Sequence, residues 1–216
     1  MTTDQITAAL APWSLACHGS FQARPDDDLP PGTQSVLMLG PDEPRFWDLF
    51  SDSAEYRDGA PDPLNRWSMR ALGQIAQDLG GTALFPFGGP PWHPFIDWAL
   101  RTGRAFSSPV GLLVHDTAGL FVSYRGAIAL PTRHEDPATA VPCDSCQDKP
   151  CRSACPAQAL TANGYDVPAC HAHLDRAQGA DCLSGCLVRR ACPVGHGRRK
   201  AAQSRFHMKA FHPGGS

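Results

Sequence analysis

The chain concentrates its reactive side chains in one short stretch of cysteines. Eight of its nine cysteines lie within the 50 residues from Cys143 to Cys192, while Cys17 stands apart near the N-terminus. The N-terminal segment lacks the basic region that opens a secretory signal and carries Asp4 early, which predicts a cytoplasmic protein. Thiols stay reduced in that compartment, where clustered cysteines bind metals or do redox chemistry more often than they form disulfides.

The first cysteine run has a spacing close to that of an iron–sulfur ligand set. It reads Cys143-x2-Cys146-x4-Cys151-x3-Cys155-Pro156, whereas bacterial two-cluster ferredoxins use C-x2-C-x2-C-x3-C-P. Three closely spaced thiolates can reach three irons of one cube. The proline after the fourth cysteine prevents a regular helical turn, so the fourth thiol points away and is available to another cluster.

A second run, Cys182-x3-Cys186-x5-Cys192-Pro193, has only three cysteines. Cys170, twelve positions upstream of the run, completes a second set of four. The assignment that uses every thiol is crossed. One [4Fe–4S] cluster then takes Cys143, Cys146, Cys151 and Cys192, and the other takes Cys155, Cys170, Cys182 and Cys186.

Other interpretations of the cysteines stay open. Zinc prefers paired C-x2-C knuckles, and only Cys143 and Cys146 have that spacing. A disulfide framework, or a single cube on the first run, is also possible in principle, although one cube leaves four cysteines unexplained. Cys17 is interpreted as a small buried hydrophobe or a surface thiol. Four histidines near the array are predicted not to be ligands: His171, His173, His207 and His212.

The elements ahead of the cysteines predict an α+β domain in which helices cover a mixed sheet of at least four strands. One helix begins at Asp62-Pro63, with Asp62 as its N-cap, and ends at Gly80-Gly81. A second helix is predicted over Pro94–Arg104. The predicted strands are Thr33–Gly40, Thr82–Phe87, Val110–His115 and Leu120–Leu130.

Charge divides the chain at the same place as composition. Residues 1–140 contain nine arginines and sixteen acidic residues, a net charge of −7, whereas residues 141–216 contain ten basic and five acidic residues, a net of +5. We therefore predict an α+β domain over 1–138 and a dicluster module over 139–216. The basic surplus either compensates anionic clusters or attracts an acidic partner such as RNA. The basic amphipathic helix predicted over Arg198–Phe211 either docks apolar side chains on the core or binds such a partner.

Residues 141–195 resemble the dicluster ferredoxin module of epoxyqueuosine reductases and of corrinoid-dependent reductive dehalogenases. The likeness includes the isolated Cys170 and the terminal Cys192-Pro193. In those families a corrinoid-binding α+β domain of nitroreductase-like build precedes the module, so the resemblance implies cobalamin as a possible further cofactor. It also implies Asp97 as a candidate proton donor. The segments 108–115 and 119–126 are similar in type to corrinoid-domain segments and contain the candidate binding residues Ser108, His115, Tyr124 and Arg125.

Three functions are consistent with these patterns. The first is an iron–sulfur protein that carries two [4Fe–4S] clusters and exchanges electrons with a redox partner protein. The second is a cobalamin-dependent reductase of the epoxyqueuosine-reductase type, in which the clusters supply electrons to a corrinoid in the first domain. The third is an RNA-binding module with a structural cluster. No run of about 18 apolar residues is present, so no membrane-spanning helix is predicted.

Overall fold

The computed structural model describes residues 1–161 and 164–213, which divide into two compact units. The first unit consists of Met1–Ala105 and Ser123–Thr139, and the second of Phe106–Val122 and Ala140–Ser216. The predicted boundary at residue 138 lies beside the break after Thr139. The contiguous domains 1–138 and 139–216 nevertheless differ from these units, because the intervening segment Phe106–Val122 belongs to the second unit.

Short strands and helices, joined by irregular segments, make up both units. The strands are β1 (Leu15–Gln22), β2 (Ser35–Pro41), β3 (Thr82–Leu84), β4 (Ala105–Ser107), β5 (Leu113–His115), β6 (Gly126–Leu130), β7 (Leu160–Thr161) and β8 (Gly164–Tyr165). The helices are α1 (Thr3–Leu10), α2 (Phe46–Ser51), α3 (Ala54–Arg57), α4 (Pro63–Leu79), α5 (Phe95–Arg101), α6 (Val167–Leu174), α7 (Ala180–Leu183), α8 (Leu187–Arg190) and α9 (Ala201–Phe211). The α+β class predicted from the sequence is confirmed.

The first unit is built on a sheet with the strand order β1-β2-β6-β3. Every residue of the central strands β2 and β6 is buried, in keeping with their unbroken apolar sequences. The prediction of a mixed sheet is wrong, since all three pairings are antiparallel. A helical connection such as the one between β2 and β3 favours a parallel pair, but here β6 lies between those strands and runs antiparallel to both.

Helix α4 covers the sheet through an apolar face that includes Trp67, Leu72 and Ile75, all buried. It ends at Gly80, whose backbone is left-handed, as predicted. Asp62 occupies the N-cap position, but its side chain makes no capping hydrogen bond. Its backbone is left-handed (φ 51°), whereas a capping residue adopts an extended conformation. The helix predicted over Pro94–Arg104 is α5, with Phe95, Trp98 and Ala99 buried as expected.

The second unit has little regular structure. The strands predicted over Val110–His115 and Leu120–Leu130 are shorter than expected: β5 remains of the first, in this unit, and β6 remains of the second, in the first unit. One reason is that the carbonyls of Leu120 and Phe121 accept hydrogen bonds from the guanidinium groups of Arg189 and Arg199 instead of a neighbouring strand.

Helix α9 ends the described chain and begins three residues after the predicted start. Its buried residues are Gln203 and Ser204, while Arg205 and Lys209 are exposed. Phe211 packs between the ring of Tyr165, 6.1 Å away, and that of His171, 4.6 Å away. In the described ranges, no helix combines the length and apolar character needed to cross a bilayer.

Candidate metal centre

Four thiols of the second unit line one pocket. They are those of Cys143, Cys146, Cys151 and Cys192, hereafter the first thiol group. Cys151 lies in the 3-10 turn Pro150–Arg152, and Cys192 follows α8; both are buried, whereas the other two are half-buried. The local sequence explains the turn, because Pro150 favours the first position of a helical turn and fixes the approach to Cys151.

The electrostatics of the first thiol group show that its members lie close together. Burial raises the pKa of the Cys143 thiol, and the neighbouring Cys151, Cys192 and Cys146 raise it further. Burial also raises the pKa of Cys151, and the nearby Cys192 and Cys146 raise it further. Four adjacent thiols cannot all ionise cheaply on their own. A bound cationic metal removes that cost, since a coordinating thiol is deprotonated outright.

The remaining four cysteines of the array form the second thiol group: Cys155, Cys170, Cys182 and Cys186. Burial raises the pKa of Cys170, which the nearby Cys186 and Cys155 also raise. Burial raises the pKa of Cys182 too, with further contributions from Cys186, Cys155 and Cys170. Cys170 lies on α6, Cys182 on α7, and Cys186 directly precedes α8.

The sulfurs of the second thiol group accept hydrogen bonds from the surrounding chain. The Ala159 N–H donates to Cys155 Sγ at 3.3 Å. Hydrogen bonding from the Tyr165 hydroxyl and from the Leu187 backbone lowers the pKa of Cys170 and of Cys182, respectively, against the larger effect of burial. Donors aimed at sulfur stabilise thiolate, which is the form that ligates a metal. They also tune the potential of iron–sulfur clusters.

The two groups are the same two sets of four that the crossed assignment uses. Each Cys-Pro cysteine sits with the cysteines of the other run: Cys155 in the second group and Cys192 in the first. Cys170, separate in the sequence, joins the second group. The chain thus brings together thiols that are distant along the sequence, and it does so twice.

The chemistry of the donors limits what each thiol group could bind. In the described part of the chain, no three or more His, Cys, Asp or Glu side chains are grouped so as to hold one metal ion. A zinc ion needs four donors at about 2.0–2.3 Å from one point. In a [4Fe–4S] cube each thiolate binds its own iron, so the ligands stand further apart. An all-sulfur donor set also matches the preference of iron–sulfur clusters for soft ligands.

The segment Phe106–Val122 supplies the apolar wall around the first thiol group. Val110, Val114 and Leu120 are buried in one core with Cys151 and Cys192. Sequence analysis did not predict this packing, because the segment lies far from the cysteines along the chain and resembles part of a sheet domain.

Gly119, in the segment Phe106–Val122, lies beside Cys192. Its backbone is left-handed (φ 57°), and a Cβ at this position would overlap the Val194 carbonyl and lie 3.1 Å from Cys192 Sγ. Only glycine fits such a position without displacement of the backbone. The signal in the sequence is a single glycine in a turn, which by itself did not point to the thiols.

Basic side chains accompany both thiol groups. Lys149 lines the pocket of the first group and lowers the pKa of Cys143. Beside the second group, burial lowers the pKa of the Arg189 guanidinium, while Cys186 and then Tyr165 favour its charged form. These positions support the interpretation of the basic surplus as compensation for anionic centres.

The other candidate residues are divided between the units. Asp97 is exposed in the first turn of α5, and Tyr124 packs its ring 6.1 Å from that of His18. Arg125 donates to Ser68 Oγ at 3.0 Å and Asn65 Oδ1 at 2.8 Å, and burial lowers its pKa to about 10. These three belong to the first unit, whereas the other two candidates, Ser108 and His115, belong to the second.

His115 stabilises a turn. It is fully buried, and its Nδ1 accepts from the backbone N–H groups of Thr117 and Ala118 at 3.2 and 3.3 Å. Two further side chains, those of His212 and Cys17, interact with nearby carboxylates. His212 Nε2 lies 2.8 Å from an Asp175 carboxylate oxygen. Burial, reinforced by Asp136, raises the pKa of the Cys17 thiol to about 12, which makes it a neutral and unreactive thiol.

No protein-family model matches this chain, and no curated protein matches it significantly. What the site can hold is therefore inferred from its own residues. Those residues are two sets of four soft sulfur ligands, each with buried surroundings and nearby cations.

Proposed function

We propose that the protein is an iron–sulfur redox protein that carries two [4Fe–4S] clusters and transfers electrons. The observation that carries the proposal is the grouping of eight cysteines into two separate sets of four. Each set has the number and type of ligands that one cube requires. The resemblance of residues 141–195 to dicluster ferredoxin modules supports the same conclusion.

Each part of the second unit has a role in this function. The first thiol group would hold one cluster and the second thiol group the other, and the clusters supply one-electron redox chemistry when bound. Val110, Val114 and Leu120 exclude water from the first site. Arg189 and Lys149 offset the negative charge of the thiolates, so that an added electron meets less repulsion. A redox partner protein would donate or accept the electrons.

Anaerobic purification with iron, sulfide and cobalt quantification tests this function. We expect about eight irons and eight sulfides per chain, as two [4Fe–4S] cubes require. Cys17→Ser serves as the matched control, because Cys17 lies outside both groups and its loss should leave the iron content unchanged.

Two other results would overturn the proposal. Zinc without sulfide would show that the thiols hold single ions. Stoichiometric corrinoid after incubation with cobalamin would instead make the protein a cobalamin-dependent reductase of the epoxyqueuosine-reductase type. Asp97, Tyr124 and Arg125 would then become the first residues to substitute in the first unit.

A further inference from the structure

Ser108 is held in a fixed position directly after β4. Its N–H donates to the Leu112 carbonyl at 2.9 Å, and its carbonyl accepts from the Gly111 N–H at 3.0 Å. The residue is 7% exposed. Both backbone bonds close a tight turn, so the side chain has little freedom to move towards solvent.

The Ser108 hydroxyl has no protein partner among the described residues. Its Oγ is buried and makes no hydrogen bond there. A buried hydroxyl without a partner destabilises the fold, and such atoms in folded proteins call for a specific explanation, for example an ion.

The same residue lines the pocket of the first thiol group. Apart from the four thiols and Lys149, the other residues lining this pocket are apolar: Pro109, Val114, Leu120, Pro142, Pro150, Pro193 and Val194. Besides Ser108 itself, the side-chain acceptors that line this pocket are therefore the four cysteine sulfurs. In the second thiol group a donor already reaches a sulfur, since the Ala159 N–H donates to Cys155 Sγ.

We propose that Ser108 Oγ donates a hydrogen bond to a sulfur of the cluster held by the first thiol group and raises its reduction potential. This inference rests on the proposed function. Reduction adds one electron to the cluster, and a donor aimed at sulfur stabilises the added negative charge. The hydroxyl keeps its proton, so no bond is broken. Ser108 thus tunes the potential of the centre through a direct contact with its sulfur.

Redox titration of Ser108→Ala, followed by electron paramagnetic resonance, tests the inference with dithionite as the one-electron reductant. We expect full iron and sulfide content and a lower potential for one cluster. At a fixed solution potential its reduced-to-oxidised ratio should fall about tenfold, which corresponds to 59 mV for a one-electron couple. The potential of the other cluster should stay unchanged.

Ser107→Ala is the matched control, because Ser107 is the exposed neighbour of Ser108. It should change neither potential. Ser108→Cys, whose thiol is a weaker donor, should give an intermediate shift. The spectrum lost in Cys146→Ala identifies which potential belongs to the first thiol group.

Unchanged potentials in a fully loaded Ser108→Ala protein would overturn the inference and leave the proposed function intact. An absence of iron and sulfide in the unsubstituted protein would instead overturn the function. If Ser108→Ala does not load iron, pulsed resonance on the unsubstituted protein in D₂O decides. A deuteron coupling to the first cluster that is weaker in Ser108→Cys would support the inference. The absence of such a coupling would refute it.

Discussion

The cores of the two units consist of different kinds of side chain. In the first unit, Trp67 meets Phe46 at 5.3 Å and Phe50 at 6.0 Å between ring centroids, and all three side chains are buried. In the second unit, Cys151 and Cys192 are core residues beside Val110 and Val114. The first core is stable through apolar burial alone. The second includes thiols that we propose as metal ligands, and its stability would then depend on what they bind.

Removal of the proposed metal should therefore affect the two units differently. We expect the apo protein to lose hydrogen-exchange protection across residues 143–192, while β2 and β6 remain protected. Binding energy at a structural metal site of about 10–16 kcal/mol is folding energy for the segment that holds it. Hydrogen exchange with mass spectrometry before and after iron removal measures this. Equal loss of protection in both units, or none in either, would contradict the claim that only the second core depends on bound metal.

Truncation of a large side chain in the first core should destabilise the first unit and leave the second unaffected. Trp67→Ala should cost the first unit about 3–5 kcal/mol of unfolding free energy and leave the iron content unchanged. All five tryptophans lie in the first unit, so tryptophan fluorescence during denaturation reports that unit. Met69→Ala, on the same helix but 56% exposed, should stay within about 0.5 kcal/mol. Loss of iron in Trp67→Ala would argue against independent cores.

A backbone change in the second unit should affect the metal centre. In Gly119→Ala the new methyl group would overlap the Val194 carbonyl beside Cys192, so we expect iron content to fall by up to half. Gly197→Ala is the control, since Gly197 is also left-handed (φ 73°) but has open space around it. It should cost only about 1 kcal/mol. Equal iron loss in both variants would show that backbone strain, and not proximity to the thiol, is responsible.

The smallest expected effect is a pH dependence confined to the first unit. The hydrogen bond from Arg101, at 2.5 Å, lowers the pKa of the Asp27 carboxyl. A carboxyl whose folded pKa is lowered stabilises the fold above its unfolded pKa of about 3.9, and this stability disappears as pH falls through the folded value.

Denaturation of Asp27→Asn at pH 7, monitored by tryptophan fluorescence, should show a loss of about 1 kcal/mol. The difference from the unsubstituted protein should shrink below about pH 4. The exposed neighbour variant Asp26→Asn should behave like the unsubstituted protein. A difference that is constant with pH would mean that Asp27 acts through packing.

The sequence predicted those features that are encoded locally. β2 and α4 follow from apolar runs with clear ends. The two sets of cysteine ligands stay a prediction from the run spacing and the Cys-Pro pairs. β1 was missed because it includes His18, Gly19 and Ser20 and has a register shift between Cys17 and Ser20, which breaks the usual alternation.

The features that sequence analysis missed depend on contacts over long sequence distances. Three such features require the folded chain: the membership of Phe106–Val122 in the second unit, the lack of a partner for the Ser108 hydroxyl among the described residues, and the position of Arg189 beside Cys186. The strand order β1-β2-β6-β3 could not be predicted either, because the apolar pattern of β6 does not indicate that this strand lies between β2 and β3.

The crossed use of the two cysteine runs is the central claim, and one set of spectra tests it most directly. Electron paramagnetic resonance of the dithionite-reduced variants Cys146→Ala, Cys192→Ala, Cys155→Ala and Cys186→Ala shows which cluster each cysteine supports. We predict that Cys192→Ala and Cys146→Ala lose or alter the same signal, and that Cys155→Ala and Cys186→Ala affect the other. If Cys192→Ala matches Cys186→Ala instead, each run holds its own cluster and the crossed assignment is contradicted.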